Sequence, residues 1–159
     1  MEYIIRAMKE QEYPLLNAFL YEAIFVPEGS QPPPRDIIFR PELQVYTAGF
    51  GTRKDDICFV AEADGRAAGA VWVRDMNDYG HIEDGVPSFA IALYKPYRGL
   101  GLGTALMKRM LAELQARGYA KASLSVQKAN AAVHLYLRLG FEILTENEEE
   151  YIMIHHLKH

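Results

Sequence analysis

Three glycines alternate with leucines in Arg98-Gly-Leu-Gly-Leu-Gly-Thr104, between an apolar run, Phe89–Leu93, and a helix-patterned run that begins near Gly101. Alternate glycines at the mouth of a helix remove side chains that would screen backbone N–H groups. The helix N-terminus then supplies unpaired donors and partial positive charge. The chemistry implied is phosphate binding. Two familiar phosphate patterns fail on particular residues. A mononucleotide loop needs Lys-Ser/Thr after its last glycine, but Gly103 is followed by Thr104 and Ala105, and the next lysine is Lys108. A dinucleotide fingerprint needs G-x-G-x-x-G, whereas counting from Gly101 reaches Leu106 at the sixth position. An acidic ribose partner about 20 residues on would fall near Lys121, and no acid stands there.

The elements that must position this cradle can be read from periodicity. Glu2–Met8 reads as a short strand, and Glu10–Phe25 as a helix with Leu15, Leu16, Phe19, Leu20, Ala23 and Ile24 on one face. Val26–Asp36, with Pro32-Pro-Pro34, reads as a stiff loop, and Pro41–Phe50 as a second short helix ending at Gly49 or Gly51. Asp56–Ala63 and Arg66–Arg74, separated by Asp64-Gly65, form the strongest hairpin signal; the second run could extend to Met76. Asn77–Gly85 reads as a loop. Ser88–Tyr94 is nearly all apolar and should be a central strand. Gly101–Arg117 is a long helix with Leu102, Ala105, Leu106, Met110 and Leu114 as its buried stripe. Lys121–Val126 reads as a strand, Asn130–Leu139 as a helix capped by Asn130, and Phe141–Leu144 and Tyr151–Leu157 as strands joined by the acidic turn Glu146–Glu150. The order β-α-α-β-β-β-α-β-α-β-β is a mixed α/β (α+β) arrangement with about seven strands and about four helices.

The chain has 159 residues, a length that fits one domain spanning 1–159. Apolar content of 50% and charged content of 24% are ordinary for a globular protein. A net charge of -4 argues against nucleic acid as partner. The single cysteine, Cys58, excludes an internal disulfide and reads as buried in its strand. No apolar run is long enough for a membrane span, and the N-terminus lacks the pattern of a signal peptide, so a cytoplasmic protein is expected. His155, His156 and His159 lack metal-ligand spacing, and no metal is expected. Trp72 reads as core, with an acceptor-pocket role left open. A homodimer is also left open.

Arg98-x-x-Gly101-x-Gly103, after an apolar strand and at a helix start, resembles the acyl-CoA pyrophosphate motif of the GNAT superfamily of N-acetyltransferases. A second segment, Asn130-Ala-Ala-Val-His-Leu-Tyr136 with Gly140-Phe141 after it, resembles another signature of that family, and the opening order of elements fits as well. The resemblance implies a mostly antiparallel mixed sheet with acetyl-CoA as co-substrate and an amine acceptor, a small molecule or a peptide. It implies that the central strand splays from its neighbour and holds pantetheine and the thioester carbonyl at Ile91, Ala92 and Leu93. Arg98 would flank the phosphates, which the N–H groups of Gly99, Leu100, Gly101, Leu102, Gly103 and Thr104 would bind. Asn130 would touch pantetheine while capping its helix, and Tyr136 would be the general acid for the departing thiolate of CoA. One branch of the family carries a glutamate base at the end of the fifth strand, but here Ser125 stands there. That leaves Glu83 as a candidate base, with Asp84, His81, a water relay or capture of neutral amine as alternatives. The acceptor would lie among the Val26–Asp36 loop, the second helix and the Glu146–Glu150 turn, with Asp75 and Asp78 attracting a cation. A binding-only acyl-CoA sensor on the same fold, or a nucleotide-binding regulator, would lack transfer.

Overall fold

The computed structural model describes residues 1–157, so His159 lies outside the described residues. Seven strands form one sheet in the order β1-β2-β3-β4-β5-β7-β6. They are β1 (Tyr3–Ala7), β2 (Ile57–Ala63), β3 (Arg66–Arg74), β4 (Ser88–Leu93), β5 (Lys121–Gln127), β6 (Glu142–Glu146) and β7 (Glu150–His156). The helices are α1 (Leu16–Ala23), α2 (Pro41–Gln44), α3 (Leu102–Ala116) and α4 (Ala132–Arg138). All neighbouring strands run antiparallel except β4 and β5. The mixed, mostly antiparallel architecture and its order of elements agree with the sequence-based expectation.

Two departures have clear causes. The first expected helix is divided, because Glu10–Leu15 is a 3-10 helix containing Pro14 and only Leu16 onward is α-helical. Proline lacks an N–H and crowds the preceding turn, which favours the tighter start. The second helix keeps only Pro41–Gln44, and residues 45–52 continue as successive turns.

Alternation along the strands builds a core on each face of the sheet. Phe59, Val71, Val73 and Phe89 pack against Leu106, Met107, Met110 and Leu114 of α3. Cys58, Val60, Ala70 and Trp72 pack against Leu16, Phe19 and Leu20 of α1 and against Tyr46 and Phe50. Each fully buried apolar side chain of this kind stabilises by roughly 1.5–3 kcal/mol. The hairpin between β2 and β3 turns at Asp64 (φ 52°) and Gly65 (φ 78°), left-handed geometry that Asp-Gly tolerates.

A buried ion pair fixes one end of the α1 face. Arg74, fully buried at the end of β3, donates from Nε and Nη2 to Asp56 at 2.9 and 3.1 Å. Its Nη1 donates to the carbonyls of Val45 and Ala48 at 3.1 and 2.8 Å. Trp72 Nε1 donates to Tyr46 O at 3.0 Å. These bonds tie the irregular segment after α2 to β3, and they determine where Tyr46 stands.

Candidate active site

The parallel strands β4 and β5 pair only at Ser88 and Ser123. Beyond that point they diverge: β4 remains on β3 as far as Leu93, and β5 remains on β7 as far as Gln127. Tyr94 N–H donates to Ala68 O at 3.0 Å. By the two-residue alternation of an antiparallel strand, Ala90 and Ala92 also turn their backbone groups toward β3. Ile91 and Leu93 therefore turn theirs toward the gap. A cavity of about 260 Å³ occupies this gap and is lined by Ile91 of β4, Leu124 and Val126 of β5, Met107, Asn130 and Tyr136. It continues through the sheet to the α1 face, where Ile24, Phe25, Leu43, Tyr46 and Glu150 line it.

The glycine loop stands at the end of β4. Gly99 (φ 75°) and Gly101 (φ 87°) both adopt left-handed conformations that other residues rarely take, and the space a Cβ would occupy at either is open. Gly101 caps α3, and the first intrahelical bond runs from Ala105 N–H to Gly101 O at 3.1 Å. The N–H groups of Gly101, Leu102, Gly103 and Thr104 precede that bond and so remain as helix-start donors. A Cβ at Gly103 would meet Leu93 Cδ1 at 3.6 Å and Leu135 Cδ2 at 4.0 Å, so this residue joins the cradle to the mouth of the gap. The donor set suits a pyrophosphate, because several N–H groups and a helix dipole face one open space.

Arg98 does not face that space. Its Nε donates to Leu93 O at 2.9 Å, and its Nη2 reaches Glu22 O and Oε2 at 3.3 and 3.2 Å. In this arrangement it braces the end of β4 against α1.

Asn130 and Tyr136 come together on the cavity wall. Asn130 Oδ1 accepts from Ala132 N–H at 2.9 Å, so its oxygen caps the first turn of α4. The helix itself starts at Ala132, one residue after the position that follows an Asn130 cap. Tyr136 is buried, and burial pushes its phenol up to about 12. Its ring packs edge-on against Phe141 with 6.0 Å between centroids.

Glu83 is elsewhere. It pairs with Lys121, at the start of β5, and is not among the residues lining the cavity. Asp84 is fully solvated near His81, and His81 Nδ1 lies 2.9 Å from Met76 O. A different acid approaches the gap. Gly80 sits at the fork of β4 and β5, where an added Cβ would fall 2.7 Å from Ser88 Oγ and 3.0 Å from Ser125 N. Ser123 Oγ donates to Gly80 O at 2.7 Å and holds the loop there. This close approach carries Asp78 beneath the α1 face of the fork, where its Oδ2 accepts from Ser88 Oγ at 2.6 Å. The Tyr46 hydroxyl stands among the Asp78 carboxyl, the Ser125 side chain and the Tyr79 backbone. Burial raises the Asp78 carboxyl above its ordinary value, against the opposing influence of the neighbouring Ser88 and Tyr46 hydroxyls. Burial, then the neighbouring Asp78 charge, raises the Tyr46 phenol as well. Sequence reasoning treated Asp78 as a long-range attractor and overlooked Tyr46. The only local signal was Gly80, whose close approach to β5 no periodicity reveals.

A family model described as the acetyltransferase (GNAT) family matches residues 18–141. The chain is similar to an N-alpha-acetyltransferase of Sulfurisphaera tokodaii, 29% identical over 131 residues, which are 72% of this chain and 73% of that protein. Its fold is similar to that of the ribosomal-protein-S18-alanine N-acetyltransferase of Escherichia coli (20% identity, TM-score 0.70, covering 99% of this chain and 96% of that one). It is also similar to that of the PaiA N-acetyltransferase of Thermoplasma acidophilum in complex with coenzyme A (16% identity, TM-score 0.70, covering 98% and 99%). At these structural identities the likeness establishes a shared fold.

Proposed function

Because the chain belongs to the acetyltransferase (GNAT) family, we propose that it transfers an acetyl group from acetyl-CoA to a primary amine by direct attack of the amine on the thioester. One observation carries this reading. An open helix N-terminus at 101–104 and a gap between β4 and β5 are joined at Gly103 and lead to one cavity containing Asn130 and Tyr136. The first-turn N–H groups of α3 bind the pyrophosphate, and Ile91 and Leu93 present backbone groups to the pantetheine arm. Ile91 N–H, turned toward the gap, holds the oxygen on which negative charge develops, a role that preorganised backbone donors perform well. Tyr136 donates to the departing sulfur. Its raised pKa keeps the phenol protonated throughout the neutral range.

The acceptor enters from the α1 face, past Phe25, Leu43, Tyr46 and Glu150. Similarity to an N-alpha-acetyltransferase supports the α-amino group of a polypeptide as the first acceptor to test. The enzyme is read as cytoplasmic; among the described residues no helix is long and apolar enough to cross a membrane.

The test is release of free thiol from acetyl-CoA in the presence of N-terminal peptides and small amines, with the acetylated product identified by mass. Amine-dependent thiol release is expected. Tight acetyl-CoA binding without thiol release above background would instead identify a binding-only sensor. Stabilisation by a nucleotide but not by CoA would exclude both.

A further inference from the structure

We propose that Tyr46 and Asp78 form the proton exit of this active site, with the Tyr46 hydroxyl meeting the acceptor ammonium and Asp78 receiving the proton that Tyr46 passes on. This rests on the acetyl-transfer reading above and assigns the base which that reading lacks.

Position is the first argument. Tyr46 and Ser125 line the cavity on the α1 face, across the sheet from α4 and Tyr136. The proton-accepting and thiol-facing groups therefore lie on opposite sides of the sheet, so the group that meets the incoming amine is separate from the donor to sulfur. Construction is the second. Asp78 is held by Ser88 Oγ at 2.6 Å, and its loop is fixed at Gly80 by Ser123 Oγ at 2.7 Å. Asp78 Oδ1 is buried and receives no well-aligned hydrogen bond among the described residues, so one lone-pair site is left for a proton. Tyr46 and Ser125 share one wall of the cavity, and both the Asp78 carboxyl and the Ser125 hydroxyl act on the Tyr46 phenol.

The surroundings suit the task. The groups facing Asp78 are Ser88 from β4, Tyr46 from the segment after α2 and the backbone of Gly80. Those facing Tyr46 are Asp78, Ser125 from β5 and the backbone of Tyr79. Apart from the Asp78 carboxyl these groups are uncharged, and burial brings the carboxyl nearer to an ammonium in proton affinity. Glu150 also lines the cavity, but it stands at the start of β7 and accepts from Asn147 Nδ2 at 3.4 Å.

The step balances. An acceptor ammonium has three protons and its acetamide keeps one. The first is lost as Tyr46 Oη accepts a proton from nitrogen and gives its own to Asp78, leaving neutral amine, Tyr46 as phenol and Asp78 as carboxylic acid. Nitrogen then bonds to the thioester carbon, the carbon–sulfur bond breaks, and sulfur leaves with the bonding pair. The second proton leaves nitrogen and balances the one taken up at sulfur beside Tyr136. Asp78 returns its proton to solvent.

The experiment follows turnover from pH 6 to 10 with saturating acetyl-CoA and an accepted peptide, in wild type, Asp78→Asn, Tyr46→Phe and Glu150→Gln. Asparagine keeps an acceptor for Ser88 and loses the base. Expected for Asp78→Asn is a fall of about 100-fold at pH 7, the scale of general-base catalysis. That deficit shrinks as pH passes the α-amine pKa near 8, where the substrate arrives already neutral. Tyr46→Phe shows the same pattern, and acetyl-CoA affinity is unchanged in both. A merely structural role gives a deficit equal at every pH and overturns the proposal. So does a wild-type profile in both variants, or a shrinking deficit in Glu150→Gln instead. If Asp78→Asn fails to unfold cooperatively, the comparison is read from Tyr46→Phe. Wild-type protein that acetylates no amine defeats the parent reading, whereas transfer that ignores Asp78 and Tyr46 defeats only the relay.

Discussion

Replacing Tyr136 by phenylalanine tests the thiol side of the reaction, and its magnitude follows from burial. The phenol is pushed up to about 12. A free thiol titrates near 8.5, so complete proton transfer from Tyr136 to a relaxed thiolate is uphill by roughly 5 kcal/mol. In the proposed reaction Tyr136 therefore acts chiefly as a hydrogen-bond donor to sulfur as negative charge gathers there. A hydrogen bond to a charged group is worth about 1.5–3 kcal/mol, which corresponds to roughly 10- to 100-fold in rate. Tyr136→Phe is expected to lower kcat by that factor and to leave the Kd for acetyl-CoA unchanged. A phenol at about 12 does not ionise between pH 6 and 10, so the deficit is the same across that range, unlike the one expected for Asp78→Asn. The assay is steady-state thiol release against pH, with acetyl-CoA affinity measured separately by calorimetry. Equal turnover in the variant would remove Tyr136 from the chemistry. A falling limb near pH 10 that disappears in the variant would show the phenol to be much less perturbed than its burial implies.

Three further outcomes are expected. Arg74→Met leaves the buried Asp56 carboxylate without its partner, and urea unfolding should show a loss of about 3–5 kcal/mol; a loss below about 1 kcal/mol would refute the structural weight given to this pair. Glu12 is held down to about 2, from an ordinary value of 4.5, chiefly by its hydrogen bond from Arg6. A depressed carboxyl stabilises the fold above its unfolded pKa and loses that contribution as pH falls toward 2, so roughly 2–3 kcal/mol should disappear across this acid window. Glu12→Gln should flatten that limb, and an unchanged pH profile of Tm would contradict the assignment. Gly103→Glu places a carboxylate where the cradle meets Leu93 and Leu135, and calorimetry should show at least a tenfold, about 1.4 kcal/mol, loss of acetyl-CoA affinity.

The cradle and gap of the proposed donor half were legible in the sequence because they depend on local pattern. Alternation predicts β4, helical spacing predicts α3, and glycines at 99, 101 and 103 mark where backbone donors are uncovered. Asn130 and Tyr136 are six residues apart, one just before α4 and one within it, and both reach the cavity. The acceptor half depends on contacts distant in sequence. Arg74 ended an apolar run and gave no sign that it anchors Val45 and Ala48. Asp78 lay in a polar loop, and Gly80 brings it to β5 through a close approach visible only in three dimensions. Glu83 stood at a suitable place in the chain, yet its pairing with Lys121 keeps it off the cavity wall. Arg98 had the motif's position, but Glu22 on α1 offered a charged partner that no local spacing indicates.

In the proposed reaction a CoA thioester lies with its pyrophosphate on the start of α3 and its arm between β4 and β5. Titration of the isotopically labelled protein with acetyl-CoA, followed through backbone amide resonances, tests it most directly. Saturable shifts are expected at Gly99–Thr104 together with Ile91 and Asn130. Saturable binding that leaves those amides unmoved, or no binding at all, would contradict it.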